Sequence, residues 1–143
     1  GVAVITTQDP HTRQWYGMTV NSVASVSLNP PMLLWSIRKE SKLSKLLQHV
    51  DDFVVNVLSA RQKDLANVFA RSTVENAHFN WERSEGASIP MLPDCLSNIE
   101  CQIAQRIDAG DHIVFLSSIR SAVCGADEQP LLYGRQYLQG LPL

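Results

Sequence analysis

Between Gly17 and Lys42 the chain reads GMTVNSVASVSLNPPMLLWSIRKESK, which gathers hydroxyls, one amide and a basic turn where strands should end. Met18 to Ser22 forms a half-polar strand pattern and Ser25 to Leu28 a second, short one. After the Pro30-Pro31 break, Met32 to Ile37 is almost wholly apolar and runs into Arg38-Lys39-Glu40-Ser41-Lys42, just ahead of a helical pattern. Asn21 and Ser22 offer donors and acceptors together. Ser36, Ile37 and Arg38, followed by a helix start at Ser41, offer hydroxyls, N–H groups and positive charge. Such a set suits a ligand with a polar ring edge and an anionic tail. The plainer alternatives stay open: Asn21 bonding its own backbone, and a solvated, capped turn over Arg38 to Lys42. His112 follows a Gly110-Asp111 turn, where a ring nitrogen can bond a ligand or move a proton, or simply face water. No nucleophile–base pair is evident. Asp108, Asp111 and Glu100 lack the spacing of a metal site or an acid/base pair, and His11, His49, His78 and His112 lie too far apart in sequence for a structural zinc site.

These residues need elements to hold them. Val2 to Thr7 is short, apolar and β-branched, which predicts a buried strand. Gln8 to His11 is turn chemistry, and Trp15 to Val23 is the return strand of a hairpin, with Thr19, Asn21 and Val23 on one face and Met18, Val20 and Ser22 on the other. Leu43, Leu46, Leu47 and Val50 are spaced for one face of a short helix over Ser41 to His49, with Ser41 as N-cap. Phe53 to Leu58 predicts another buried strand. Ser59 to Gln62 matches a capping box opening a second helix that turns Leu65, Val68 and Phe69 inward and ends near Ala70-Arg71.

Ser72 to Asp94 has little periodicity and reads as a long surface excursion with Phe79 and Trp81 as anchors. Leu96 to Ile107 alternates, with Ile99, Cys101, Ile103 and Ile107 on one face and Glu100 on the other. Asp108 to Asp111 is a hairpin loop with Gly110 at positive φ, and His112 to Val123 is its partner strand, with Ile113, Phe115, Ile119 and Val123 inward. Leu131 to Tyr133 is a last short strand, and Gly134 to Tyr137 leads to a loose tail. About seven strands and two short helices, without strand–helix alternation, predict an antiparallel sheet closed into a small barrel.

With 143 residues, 45% hydrophobic and 18% charged, the chain suits a single domain with its own core, spanning 1–143. A net charge of −2 with no basic face excludes nucleic acid as the expected partner, and no apolar run approaches the roughly 18 residues of a membrane span. Cys95, Cys101 and Cys124 form no disulfide framework and read as reduced, buried thiols of a cytoplasmic protein. Gly1 to Ile5 already reads as mid-strand, so a preceding segment is expected.

The segments GVAVITT, GMTVNSVASVSLNPPMLLWSI, FVVNVLSARQKDLANVFA, DAGDHIVF and PLLYGRQY, in this order, resemble the flavin reductase-like family of short-chain split-barrel proteins. The resemblance covers nearly the whole chain and departs from the family at the start, where a short helix usually precedes the first strand. It implies a mainly β, antiparallel Greek-key split barrel with two or more short helices, an FMN-binding split barrel, paired as a homodimer with flavin near the interface. It implies a flavin:NAD(P)H oxidoreductase that uses NADH or NADPH to reduce FMN or FAD and supplies a partner monooxygenase. The alternative is a split-barrel protein that retains its flavin for another redox or sensing role. Flavin-ring contacts carry over to Thr19, Val20, Asn21 and Ser22, and phosphate contacts fit Ser36, Ile37, Arg38 and Ser41. Phe69, Ala70 and Arg71 match positions where the family places flavin or nicotinamide contacts, the plainer reading being a helix C-terminus with Phe69 in the core. His112 matches the family's GDH signature and a nicotinamide-side role. Tyr133 and Arg135 match C-terminal aromatic and basic positions that touch flavin or close the dimer. No GxGxxG motif is present, so nicotinamide would bind transiently over the flavin.

Overall fold

The computed structural model describes residues 1–70, 73–75, 82–125 and 127–138. In chain order the strands are β1 (Ala3–Gln8), β2 (Trp15–Val20), β3 (Ala24–Leu28), β4 (Pro31–Arg38), β5 (Asp52–Val57), β6 (Val74–Glu75), β7 (Glu82–Arg83), β8 (Pro90–Met91), β9 (Ser97–Ala109), β10 (His112–Cys124), β11 (Leu132–Tyr133) and β12 (Tyr137–Leu138). Helix α1 (Lys42–Leu46) follows β4. A 3₁₀ turn (Ala60–Gln62) and helix α2 (Lys63–Val68) follow β5.

Eight strands form one antiparallel sheet in the order β3-β4-β10-β9-β5-β1-β2-β6. Its inner surface packs Trp35, Phe53 and Phe115 together, with Trp35 ring centroids 5.5 Å from Phe53 and 4.9 Å from Phe115. Leu43 and Leu47 enter the same cluster fully buried, so α1 plugs the barrel. Ser41 accepts from the Ser44 N–H at 3.0 Å and caps that helix as its spacing predicts, although the helix ends at Leu46, short of the predicted His49. Strand β1 is buried on both faces: Ala3 and Ile5 face the barrel, while Val2 and Val4 pack with Leu58, Ala66, Phe69 and Leu131 beneath α2. That double burial explains the unbroken apolar run at the start of the chain.

The long β9–β10 hairpin turns at Gly110, whose φ of +66° lies in the region that glycine enters most readily. Two β-bulges along it overturn the simple alternation expected there. A register shift opposite Leu116/Ser117 leaves Ile107 44% exposed, and another between Ile119 and Ser121 leaves Val123 53% exposed. Glu100, expected on the outer face, is 2% exposed. Its carboxylate accepts from the Ser84 and Ser121 hydroxyls and from the Gly86 and Ala87 N–H groups. Those bonds draw residues 84–92 onto the sheet, where Ile89, Met91 and Leu92 are buried. Part of the expected surface excursion is therefore core; Phe79 and Trp81 lie outside the described residues.

The cysteines also divide. Burial holds the Cys95 thiol up at about 11 and that of Cys101 at about 12, so neither is a thiolate near neutrality, whereas Cys124 is exposed, contrary to expectation. β11 and β12 pair as a hairpin around Gly134, and the tail expected after Tyr137 lies almost wholly outside the described residues. Among the described residues no helix is long and apolar enough to cross a membrane.

Candidate functional site

Strands β2 and β4 do not pair. Between them, on the outside of the barrel, lies a cleft of about 350 Å³ lined by Met18 to Ser22, by Ser36, Ile37 and Arg38, and by His112. The register explains the gathering. His112 stands opposite Arg38 across the β4–β10 ladder, and Ser36 opposite Val114, so the end of β4 and the start of β10 bring Ser36, Arg38 and His112 to one wall. The end of β2 supplies the other wall. The two walls are tied by one hydroxyl: Ser22 Oγ donates to the Ser36 carbonyl at 2.9 Å and accepts from the Ser36 N–H at 3.1 Å. Ser22 thus replaces one rung of a ladder between strands that have parted.

The remaining residues of the β2 wall are committed unequally. Thr19 donates its N–H to the Phe69 carbonyl at 2.9 Å and its hydroxyl to the Ala66 carbonyl at 2.7 Å, which fastens β2 to the end of α2. Val20 is 8% exposed and anchors the wall in the core. Asn21 lies just beyond β2 and is exposed; its side-chain amide and backbone N–H have no partner among the described residues. The Ser36 hydroxyl and the Arg38 guanidinium are likewise without hydrogen-bond partners among the described residues. His112 Nδ1 lies 2.8 Å from Asp111 Oδ1. A carboxylate only accepts, so Nδ1 carries the proton and Nε2 is left for a ligand. The His112 hydrogen bond in turn holds the Asp111 carboxyl below its usual range.

A second cavity, of about 360 Å³, lies on the other side of Thr19, Val20 and Asn21. It is completed by Val2, Asn67, Ala70, Tyr133 and Tyr137. The candidate residues therefore distribute over two adjoining hollows that share the end of β2. Ser41 lines neither: its hydroxyl is spent on the helix cap. Phe69 is fully buried; its ring sits beneath Gly17, where a Cβ would come within 2.7 Å of it, and only its carbonyl reaches the β2 wall. Arg135 is exposed at the tip of the β11–β12 hairpin and lines neither hollow. Arg71 lies outside the described residues. Asn67 and Tyr137 were not among the candidates. Tyr137 was legible in principle, because tyrosines four apart around Gly134 are placed to pair across a tight hairpin.

The flavin reductase-like domain model matches residues 1–142. The chain belongs to the flavin reductase-like domain family. It is 37% identical over 133 residues to an FMN reductase (NADH), SmoA, of Agrobacterium fabrum, a match covering 93% of this chain and 74% of that protein. It is 37% identical over 123 residues to the reductase component of a flavin-dependent trigonelline monooxygenase of Acinetobacter baylyi, covering 85% of this chain but only 39% of that longer protein. The fold superimposes with a TM-score of 0.90 on the NADH:FAD oxidoreductase SgcE6 of Streptomyces globisporus C-1027 in complex with NAD and FAD fragments, at 29% identity, covering 99% of this chain and 86% of the other. The antiparallel split barrel is thus the architecture that the family's segments implied.

The first cleft fits the chemistry of a flavin mononucleotide. A flavin ring edge presents acceptors and one N–H, and the free Asn21 amide and N–H match both kinds. An anionic tail needs a hydroxyl and a cation, and the free Ser36 hydroxyl and Arg38 stand together across the cleft.

Proposed function

We propose that this chain is an NAD(P)H-dependent flavin reductase that passes hydride from NADH or NADPH to FMN or FAD and supplies reduced flavin to a separate monooxygenase. The observation that carries this reading is the cleft at the split of the barrel, whose unpaired groups match a flavin's ring edge and phosphate. The SmoA and trigonelline reductase relatives are reductases by name, and no comparable observation favours the retained-flavin alternative.

In this reading Asn21 and the end of β2 orient the ring, while Ser36 and Arg38 hold the phosphate. Bound flavin supplies a two-electron acceptor. The chain's own contribution is orientation and electrostatics, since stacked rings exchange hydride without a protein nucleophile. His112, fixed through Nδ1 by Asp111, presents Nε2 to the cleft, where it bonds the nicotinamide amide or, when protonated, delivers a proton.

A homodimer belongs to the same proposal. Beside the cleft, the outer face of β4 and β10 carries Leu34, Val114 and Leu116, and Val26 and Leu28 on the neighbouring edge strand are 48% and 94% exposed. A second copy laid on that apolar face would roof the cleft and exclude water from it. The cytoplasm, where NAD(P)H and a partner oxygenase are both found, is the proposed compartment.

The test is aerobic NADH oxidation by purified protein with and without added FMN or FAD. Oxidation that depends on both protein and added flavin supports the proposal. A rate no faster than free flavin alone overturns it.

A further inference from the structure

We propose that Met18 is an oxidation switch: hydrogen peroxide converts its thioether to the sulfoxide, the Thr73 hydroxyl holds the new oxygen, and the cleft then binds flavin less well. The switch regulates the cleft already described and rests on the reading that this cleft takes a flavin.

Three observations converge. Met18 stands where the cleft meets the core. It is half-buried, lines the hollow beside Thr19 to Ser22, and packs against the cluster that holds Trp35, Phe53 and Phe115. Its side chain is therefore open to a small oxidant yet set among apolar groups that a polar atom would disturb. Next, Thr73 Oγ1 lies 4.0 Å from Met18 Sδ. A thioether is a weak acceptor, so this contact contributes little as it stands. Oxidation makes the side chain polar. A sulfoxide oxygen built on that sulfur toward Thr73 comes into ordinary O–H···O range, about 2.5–3.0 Å. Finally, the Thr73 hydroxyl is held in place. It accepts from the Leu43 N–H at 3.2 Å in the first turn of α1, which leaves its own proton to donate.

The oxidant follows from the proposed reaction. Reduced flavin that meets O2 in place of a partner oxygenase gives up two electrons and two protons, forming oxidised flavin and hydrogen peroxide. The Met18 sulfur lone pair then attacks one peroxide oxygen. An S–O bond forms, the O–O bond breaks, and the second oxygen leaves as water. The thiols are poor rivals: Cys95 and Cys101 are buried and protonated, and Cys124 lies at the end of β10 opposite His112. Of the other two methionines, Met91 is 8% exposed, and Met32 stands opposite Ser118, outside the cleft lining. Oxidation at Met18 places a fixed dipole in a wall that the ring must cover, and desolvating that dipole opposes binding. Methionine sulfoxide reductases reverse the change.

The experiment treats the purified protein, in a Cys124→Ser background, with hydrogen peroxide. Peptide mass spectrometry locates the added oxygen, and fluorescence titration reads FMN affinity before and after. The expected result is that Met18 gains one oxygen ahead of Met91, that FMN binding weakens by about tenfold, and that methionine sulfoxide reductases restore it. Met18→Leu, a swap of similar volume, should show the same FMN affinity before and after peroxide. Met18→Gln, whose amide oxygen reaches toward Thr73 as the sulfoxide would, should bind FMN as weakly as the oxidised protein with no oxidant added. In Thr73→Val the sulfoxide has no donor, so peroxide should lower Tm further than it does in the parent; an equal drop overturns the part given to Thr73. Met18 left unoxidised, or FMN affinity lost equally in the parent and in Met18→Leu, overturns the proposal. Unchanged affinity despite a Met18 sulfoxide overturns the switch alone. An untreated protein that binds no FMN overturns the flavin reading, and the switch with it.

Discussion

Replacing Ser22 with alanine separates two roles for its hydroxyl. The position matches a family flavin contact, yet the structure spends the hydroxyl on the backbone of Ser36, at 2.9 Å and 3.1 Å. In Ser22→Ala both hydrogen bonds vanish and the half-buried Ser36 N–H loses its acceptor. A typical hydrogen bond contributes about 0.5–1.5 kcal/mol net, and an orphaned polar group costs about 1–3 kcal/mol, so the variant should lose about 1–3 kcal/mol. For a chain near 150 residues that is roughly 3–10 °C in Tm. Thermal unfolding without ligand reads this directly. Flavin affinity should fall as a consequence, and more for FMN than for riboflavin, because the loosened end of β4 carries Ser36 and Arg38. A variant with unchanged Tm and weakened flavin would refute the reasoning, since the hydroxyl would then act on the ligand and not on the barrel.

Three further substitutions test the rest of the site and its support. His112→Ala should slow hydride transfer, read by stopped-flow absorbance, more than it weakens flavin binding; equal losses would contradict its assigned role. Arg38→Ala should weaken FMN about tenfold, as expected for one charge-assisted contact to phosphate, and leave riboflavin unchanged in a fluorescence titration. Glu100→Gln should cost about 2–3 kcal/mol at pH 7, because an amide cannot accept at both ends from Ser84, Ser121 and the loop N–H groups. Burial raises the Glu100 carboxyl, but its hydrogen bonds outweigh that and leave it below the usual 4.5. A depressed carboxyl stabilises the fold above its unfolded pKa and loses that contribution as pH falls through its folded one. The wild-type advantage in urea unfolding should therefore shrink from about pH 4.5 downward, and a constant gap across that range would count against the assignment.

How much of this was legible from residues alone depended on how local the cause was. The Ser41 cap and the turn at Gly110 are set by near neighbours, and the buried strand at Val2 to Ile5 by an apolar run long enough to read by itself; each is where the pattern put it. The bulges that expose Ile107 and Val123 depend on a partner strand's register, which alternation along one strand cannot report. Glu100 is buried because a loop 13 to 16 residues earlier in sequence folds back to meet it, and Gly86 leaves room for the carboxylate where a Cβ would approach within 2.6 Å. Phe69 read as a contact or as core, and its complete burial with the ring packed beneath Gly17 puts its side chain in the core.

The site itself follows from the same distinction. An unpaired strand edge is usually a liability, because its backbone groups seek partners. Here the ends of β2 and β4 face each other without pairing, and the chain meets most of the resulting demand internally. Phe69 takes the Thr19 N–H, Ala66 takes its hydroxyl, and Ser22 closes on Ser36. Among the described residues the Asn21 amide and N–H, the Ser36 hydroxyl and the Arg38 guanidinium are left without hydrogen-bond partners, and they line one hollow. A barrel that closed fully would have had nothing to offer there. The split creates the binding chemistry, and the Ser22 tie keeps its two walls close enough to act on one ligand.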